Sequence, residues 1–73
     1  MPDLTDEQLQ NWFTYHSPFS DQLPKYAAIR EAGWHLATII RDNSPASPDR
    51  TAAIRKVREA VMTANAAIAC GGK

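Results

Sequence analysis

WFTYHSPFSDQLPKY, residues 12–26, gathers the side chains best suited to chemistry in this chain: Trp12, Phe13, Tyr15, Phe19 and Tyr26, with His16 and Lys25 among them. Arg30 follows one helical turn after Tyr26 and shares its face if the segment is helical. An aromatic plate beside cations at the start of a helix suits a ligand that carries a base and a phosphate. The base stacks on Tyr15 for about 1–3 kcal/mol. The phosphate takes charge-assisted bonds from Lys25 or Arg30 and meets open backbone N–H groups. By spacing alone, the ordinary account of Trp12, Phe13, Phe19 and Tyr26 is a core that plugs the open end of a helical hairpin.

A second cationic group, Arg50, Arg55, Lys56 and Arg58, has no acid among residues 50–58. Arg55, Arg58, Met62 and Asn65 recur at spacings of three and four, so they form one helical stripe. Its ordinary account is a solvated face with Glu59 pairing nearby cations. Its functional account is a second phosphate site, with Asn65 reading a base edge or fixing helix register through a paired amide. The two histidines, His16 and His35, lie far apart with no thiolate or carboxylate cluster, so no metal centre is expected. With one histidine in the candidate site, there is no acid–base pair for phosphodiester cleavage, and no catalytic residue is assigned. No cofactor is implied.

Three helical segments must position these residues. Thr5 and Gln8 have capping-box spacing, Asp6 and Glu7 suit a helix start, and Leu4 and Leu9 have the spacing of a hydrophobic staple. The first helix is therefore read from about Thr5 to Phe13. Ser17-Pro18 stops it, because a residue before proline favours extended backbone. A second helix runs from about Asp21 or Pro24 to Asp42, its apolar stripe built on Ile29, Leu36 and Ile40 with Ala32, Gly33 and Ala37. Gly33 in that stripe admits a close neighbour. Trp34 lies beside the stripe and suits a subunit interface, while His35 reads as a packed or solvated residue. NSPASPDR, residues 43–50, breaks the chain, with Ser47 as N-cap and Pro48 at the first helical position. A third helix carries Ile54, Val57, Val61, Ala64 and Ile68 to about Ala69, where Gly71-Gly72 ends it. Cys70 reads as a frayed, unreactive thiol. The reading is a single all-α domain over residues 1–73: a short N-terminal helix plus a long antiparallel helical hairpin.

Seventy-three residues bury too little surface for easy stability alone, and one cysteine rules out a disulfide within the chain. Association into a homo-oligomer is the default expectation. The net charge is zero but divided. Residues 1–24 hold Asp3, Asp6, Glu7 and Asp21 with no Lys or Arg, giving −4, and the remainder is +4. Such a chain can pair head to tail or antiparallel. Its neutral total argues against non-specific DNA binding. No run reaches a membrane span and no signal peptide is legible, so a soluble, cytoplasmic protein is expected.

FTYHSP, then Q-x-PKY-x-x-IRE-A, then SPDRTAAIRKVREAVMTANAAIA together resemble a family of small phage proteins, the anti-CBASS cyclic-nucleotide sponges, over residues 11–69. REAVMTANAAIA is the most distinctive part. The resemblance implies a compact helical hexamer that binds cyclic dinucleotides such as cyclic GMP-AMP at subunit junctions, and in some members cyclic trinucleotides at separate sites. It implies sequestration without cleavage in the cytoplasm of an infected host, which starves the antiviral effector. Carried over by motif, the ligand residues are Tyr15 and His16, with Lys25 and Arg30 from the second helix; Tyr26 joins them by its spacing one turn before Arg30. Arg55, Arg58 and Asn65 form the candidate second site. The competing function is a small phage protein that grips a host protein or nucleic acid through its basic third helix.

Overall fold

The computed structural model describes residues 3–73; Met1 and Pro2 lie outside them. The described chain is all helical, in the order α1 (Asp6–Trp12), α2 (Leu23–Asn43) and α3 (Pro48–Ala69). The capping box forms at α1: Gln8 N donates to Thr5 Oγ1 at 3.1 Å, and Thr5 N donates to Gln8 Oε1 at 2.9 Å. Ser47 Oγ caps α3 by accepting from Arg50 N at 3.2 Å, with Pro48 behind it. At the far end Gly71 and Gly72 take φ of 66° and 76°. Gly72 N donates to Ala67 O at 2.9 Å and Gly71 N to Ile68 O at 3.2 Å, the paired bonds of a Schellman ending. Cys70 is therefore no frayed residue: its N–H bonds Ala66 O at 2.9 Å and its thiol is half-buried.

α2 and α3 pack as an antiparallel hairpin, joined by the short 44–47 connection. Gly33 sets their approach. A Cβ built there would lie 2.5 Å from Val61 Cγ2 and 3.8 Å from Val57 Cγ1. Contact between carbons is optimal near 3.5–4.0 Å, so α3 fits against this turn because the side chain is missing. Arg50 closes the other end, its Nη1 donating to Arg41 O at 3.3 Å on the last turn of α2. That placement favours the cation, since helix C-termini carry partial negative charge.

Two helices cannot enclose a core. No described side chain is fully buried. The Cα radius of gyration is 15.5 Å, where a compact chain of this length has about 11 Å. The principal extents are 44 × 32 × 18 Å, a slab rather than a sphere. The stripe residues Ile54, Val57, Val61, Ala64 and Ile68 are half-buried along one face of α3. On α2, Leu36 and Ile39 remain mostly exposed.

The aromatic plug does not form. Phe13 is 85% and Phe19 70% exposed, and Trp12 is also exposed; only Tyr26 is half-buried. Polar side chains take the open end instead. Asn11 Nδ2 donates to Cys70 O at 3.3 Å, Gln22 Nε2 to Ile68 O at 3.5 Å, and Trp12 Nε1 to Lys73 O at 3.4 Å. The last carbonyls of a helix have no intrahelical donor. These bonds tie Asn11, Gln22 and the Trp12 indole edge to the end of α3 and the turn after it, while Phe13 and Phe19 stay outside.

Candidate functional site

The connector 13–22 carries the aromatic segment and is pinned by Gln22. Gln22 N donates to Phe19 O at 2.9 Å, and its Oε1 accepts from Phe19 N at 2.9 Å. The same side chain reaches α3, as above. Tyr15, between these anchors and the end of α1, is 83% exposed and free to offer its ring face. His16 turns the other way. Its Nε2 lies 2.7 Å from Asn11 O. A carbonyl only accepts, so Nε2 carries the proton and donates, and Nδ1 is the one ring nitrogen left for another partner.

His16 lines a groove of about 540 Å³ of mixed character between α1 and the end of α3, with Gln8, Asn11, Phe19, Gln22 and Ile68. Tyr15 does not line it. Lys25 and Arg30 project from the first two turns of α2 and are exposed. Tyr26 is half-buried between them in sequence. The N-cap position of α2, Gln22, makes no side-chain cap bond, so the first-turn N–H groups are open to an anion. Within one chain, then, His16 lines a groove that Tyr15, Lys25, Tyr26 and Arg30 do not line. His16 faces the α1–α3 groove, while Tyr15, Lys25 and Arg30 face solvent.

The second candidate group also divides. Arg50 is taken by the α2 terminus. Arg55 lines a shallow groove at the start of α3 with Ser47, Arg50 and Thr51. Arg58 lines a different groove, of about 230 Å³, with Trp34, Ala37, Ile54 and Met62. Asn65 lines neither of these two grooves, and its Oδ1 is occluded without a hydrogen-bond partner. Glu59 pairs with none of the cations: among the described residues the one ion pair is Arg41–Asp42, at 2.9 Å. The Asp42 hydrogen bond, then its charge, pushes the exposed Arg41 guanidinium above its ordinary pKa.

Trp34, expected at a subunit interface, is left open within the single chain. It is 66% exposed, with the His35 ring edge-on at 5.2 Å and 69°. It shares a groove with Arg58, and Arg30 precedes it by one turn on α2. Arg30 and Arg58, assigned to separate sites by spacing, therefore flank one tryptophan on the same side of the hairpin. The antiparallel pairing of α2 and α3 would have revealed this had the register been legible. Among the described residues no group of three His, Cys, Asp or Glu side chains is arranged to hold a metal ion. Among the described residues no helix is long and apolar enough to cross a membrane.

Residues 5–69 match the family model described as Acb2/Tad1, hairpin domain. The chain belongs to this family, the anti-CBASS cyclic-nucleotide sponges. The match spans the capping box of α1, the connector and the whole of the α2–α3 hairpin. Among curated proteins and among solved structures, no match to the chain emerges. Membership in the Acb2/Tad1 hairpin family places the chain with sequestering proteins rather than with enzymes.

Proposed function

We propose that this Acb2/Tad1 hairpin protein assembles into a homo-oligomer, by family a hexamer, and sequesters cyclic oligonucleotide second messengers without cleaving them. Cyclic dinucleotides such as cyclic GMP-AMP are the primary ligands, and cyclic trinucleotides the ligands of a second site. Acting in the cytoplasm of an infected host, it lowers the free signal and silences CBASS antiphage signalling.

One observation carries this reading: Tyr15, Lys25 and Arg30 are exposed in the single chain and the start of α2 has no side-chain cap. A single chain offers half a grip. A cyclic dinucleotide has two bases and two phosphates in near two-fold arrangement, and a two-fold junction supplies two rings and two sets of cations. Tyr15 stacks on a base, Lys25 and Arg30 neutralise phosphate, and Tyr26 supports Arg30 one turn away. His16 contributes only through Nδ1, its Nε2 being held by Asn11. Arg55, Arg58 and Asn65 form the second site when neighbouring copies bring them together.

Calorimetric titration with a panel of cyclic di- and trinucleotides tests the reading. Removing one stacked base contact by Tyr15→Ala weakens dinucleotide binding about 5- to 150-fold, the equivalent of about 1–3 kcal/mol. Arg30→Ala weakens it as well. Ligand recovered from heat-denatured complex is intact on chromatography. Linear product would make the protein an enzyme. No binding to any cyclic nucleotide, with a macromolecule captured through Arg55, Lys56 and Arg58, would favour the interaction-protein reading.

A further inference from the structure

α1 sits on its own chain with its polarity reversed. The side that touches α3 is polar: Asn11 and the Trp12 indole donate to the carbonyls of Cys70 and Lys73, and Gln8 lines the groove beside them. Asp6, Leu9 and Phe13 fall at i, i+3 and i+7 and form a stripe on another side of the helix. Leu9 and Phe13 on that stripe are exposed. The contact within the chain thus satisfies polar atoms, leaves Phe13 open at 85% exposure and covers Leu9 only in part, at 39%.

The hairpin carries an uncovered surface of matching character. A groove of about 470 Å³ runs along one side of the helix crossing, lined by Ile29, Ala32, Leu36, Val57 and Ala60, and Lys56 is its only charged lining residue. Lys25 lies at i−4 from Ile29 and extends the same stripe. Nothing acidic lines this groove. The chain's own α1 cannot cover it. α1 is tied to Cys70 and Lys73, and ten residues of helix from Ala60 to Cys70 span about 15 Å.

We propose that α1 of one copy lays Leu9 and Phe13 into this lysine-rimmed groove of a second copy, with its acidic first turn toward Lys56. The occupant follows from charge as well as shape. The segment that carries α1 is the −4 part of the chain, and the groove belongs to the +4 part. Tyr15 follows Phe13 by two residues, so docking carries its ring toward the neighbour's α2, where Lys25 lies one turn before Ile29 of the groove. The interface rests on the assembly half of the proposed function and not on the identity of the ligand.

Two chains of distinguishable mass test it, both carrying Cys70→Ser. One carries Leu9→Cys, the other Ala60→Cys, and the two are co-expressed and mildly oxidised. The expected product is a disulfide-linked heterodimer on a non-reducing gel. A control pairs Leu9→Cys with Arg58→Cys, which lies on the other side of the hairpin, and gives no link. Separately, Lys56→Glu raises the concentration for half-dissociation roughly 2- to 10-fold, and mixing with an Asp6→Lys chain restores it. An assembled protein with no Ala60 link, with an equal Arg58 link, or with no charge-swap rescue overturns this interface alone. A monomer by sedimentation overturns the assembly on which it rests. Loss of nucleotide binding with the Ala60 link intact touches only the ligand reading.

Discussion

Gly33→Ala places a methyl 2.5 Å from Val61 Cγ2, at least 1 Å inside a comfortable carbon contact. The atom it meets is not the loose end of a long side chain. Valine in a helix has one strongly preferred rotamer, so the methyl cannot swing aside and α3 must shift. Overpacking of this kind costs about 1–3 kcal/mol. Removing a glycine from a helix interior returns about 1 kcal/mol. The net expectation is a loss between about zero and 2 kcal/mol, and each kcal/mol lowers Tm by roughly 4–8 °C in a chain of this size. Because the net is small, the decisive measurement is a double-mutant cycle with Val61→Ala, by thermal and urea unfolding at fixed protein concentration. In the Val61→Ala background the clash is gone, and Gly33→Ala should stabilise by about 1 kcal/mol. The coupling between the two sites should be about 1–3 kcal/mol. If Gly33→Ala raises Tm equally in both backgrounds, the helices do not meet at this turn, and the close approach assigned to Gly33 is wrong.

Thr5→Ala removes the cap and its reciprocal bond, a change of about 0.5–2 kcal/mol. Because α1 packs so little, hydrogen exchange at the α1 amides should quicken while global melting moves far less. Gly71→Ala meets no atom within 4 Å, so its cost is purely backbone: φ of 66° disfavours a Cβ by about 1–2 kcal/mol, and Asn at this position should recover part of it. Gln22→Ala loses both the Phe19 turn and the Ile68 carbonyl; exchange of the connector amides should rise, with far-ultraviolet helix content unchanged. Arg50→Met strips a donor from the last turn of α2 and should lower Tm by a few degrees, whereas Arg55→Met should leave it unaltered.

The helices and their ends were legible because they depend on neighbours in sequence. Thr5 with Gln8, Ser47 with Pro48, and Gly71 with Gly72 each satisfy terminal backbone groups over three to five residues, and each forms as its spacing predicts. The hairpin was legible for the same reason: two apolar stripes on either side of the 43–50 break have little else to pack on. The fate of the aromatics was not. Their hydrophobicity predicts a plug at the open end, but Asn11, Gln22 and the Trp12 indole edge bond the backbone there, and Phe13 and Phe19 are left outside.

The candidate site divides along the same line. Tyr15, Lys25 and Arg30 could be chosen from residue type and local spacing, and their exposure agrees with a ligand role. Which side chains become neighbours depends on how α2 and α3 register across the hairpin. Only the packed pair set Arg58 beside Trp34 and left Asn65 Oδ1 without a partner. Sequence by itself determined the capped starts of α1 and α3 and the glycine end of α3, since capping is a local electrostatic matter, whereas the uncapped start of α2 was read only as Asp21 or Pro24. Tertiary structure decided which faces are bare, because that depends on a glycine-sized gap between residues 33 and 61 and on terminal carbonyls competing for amides far away in the chain.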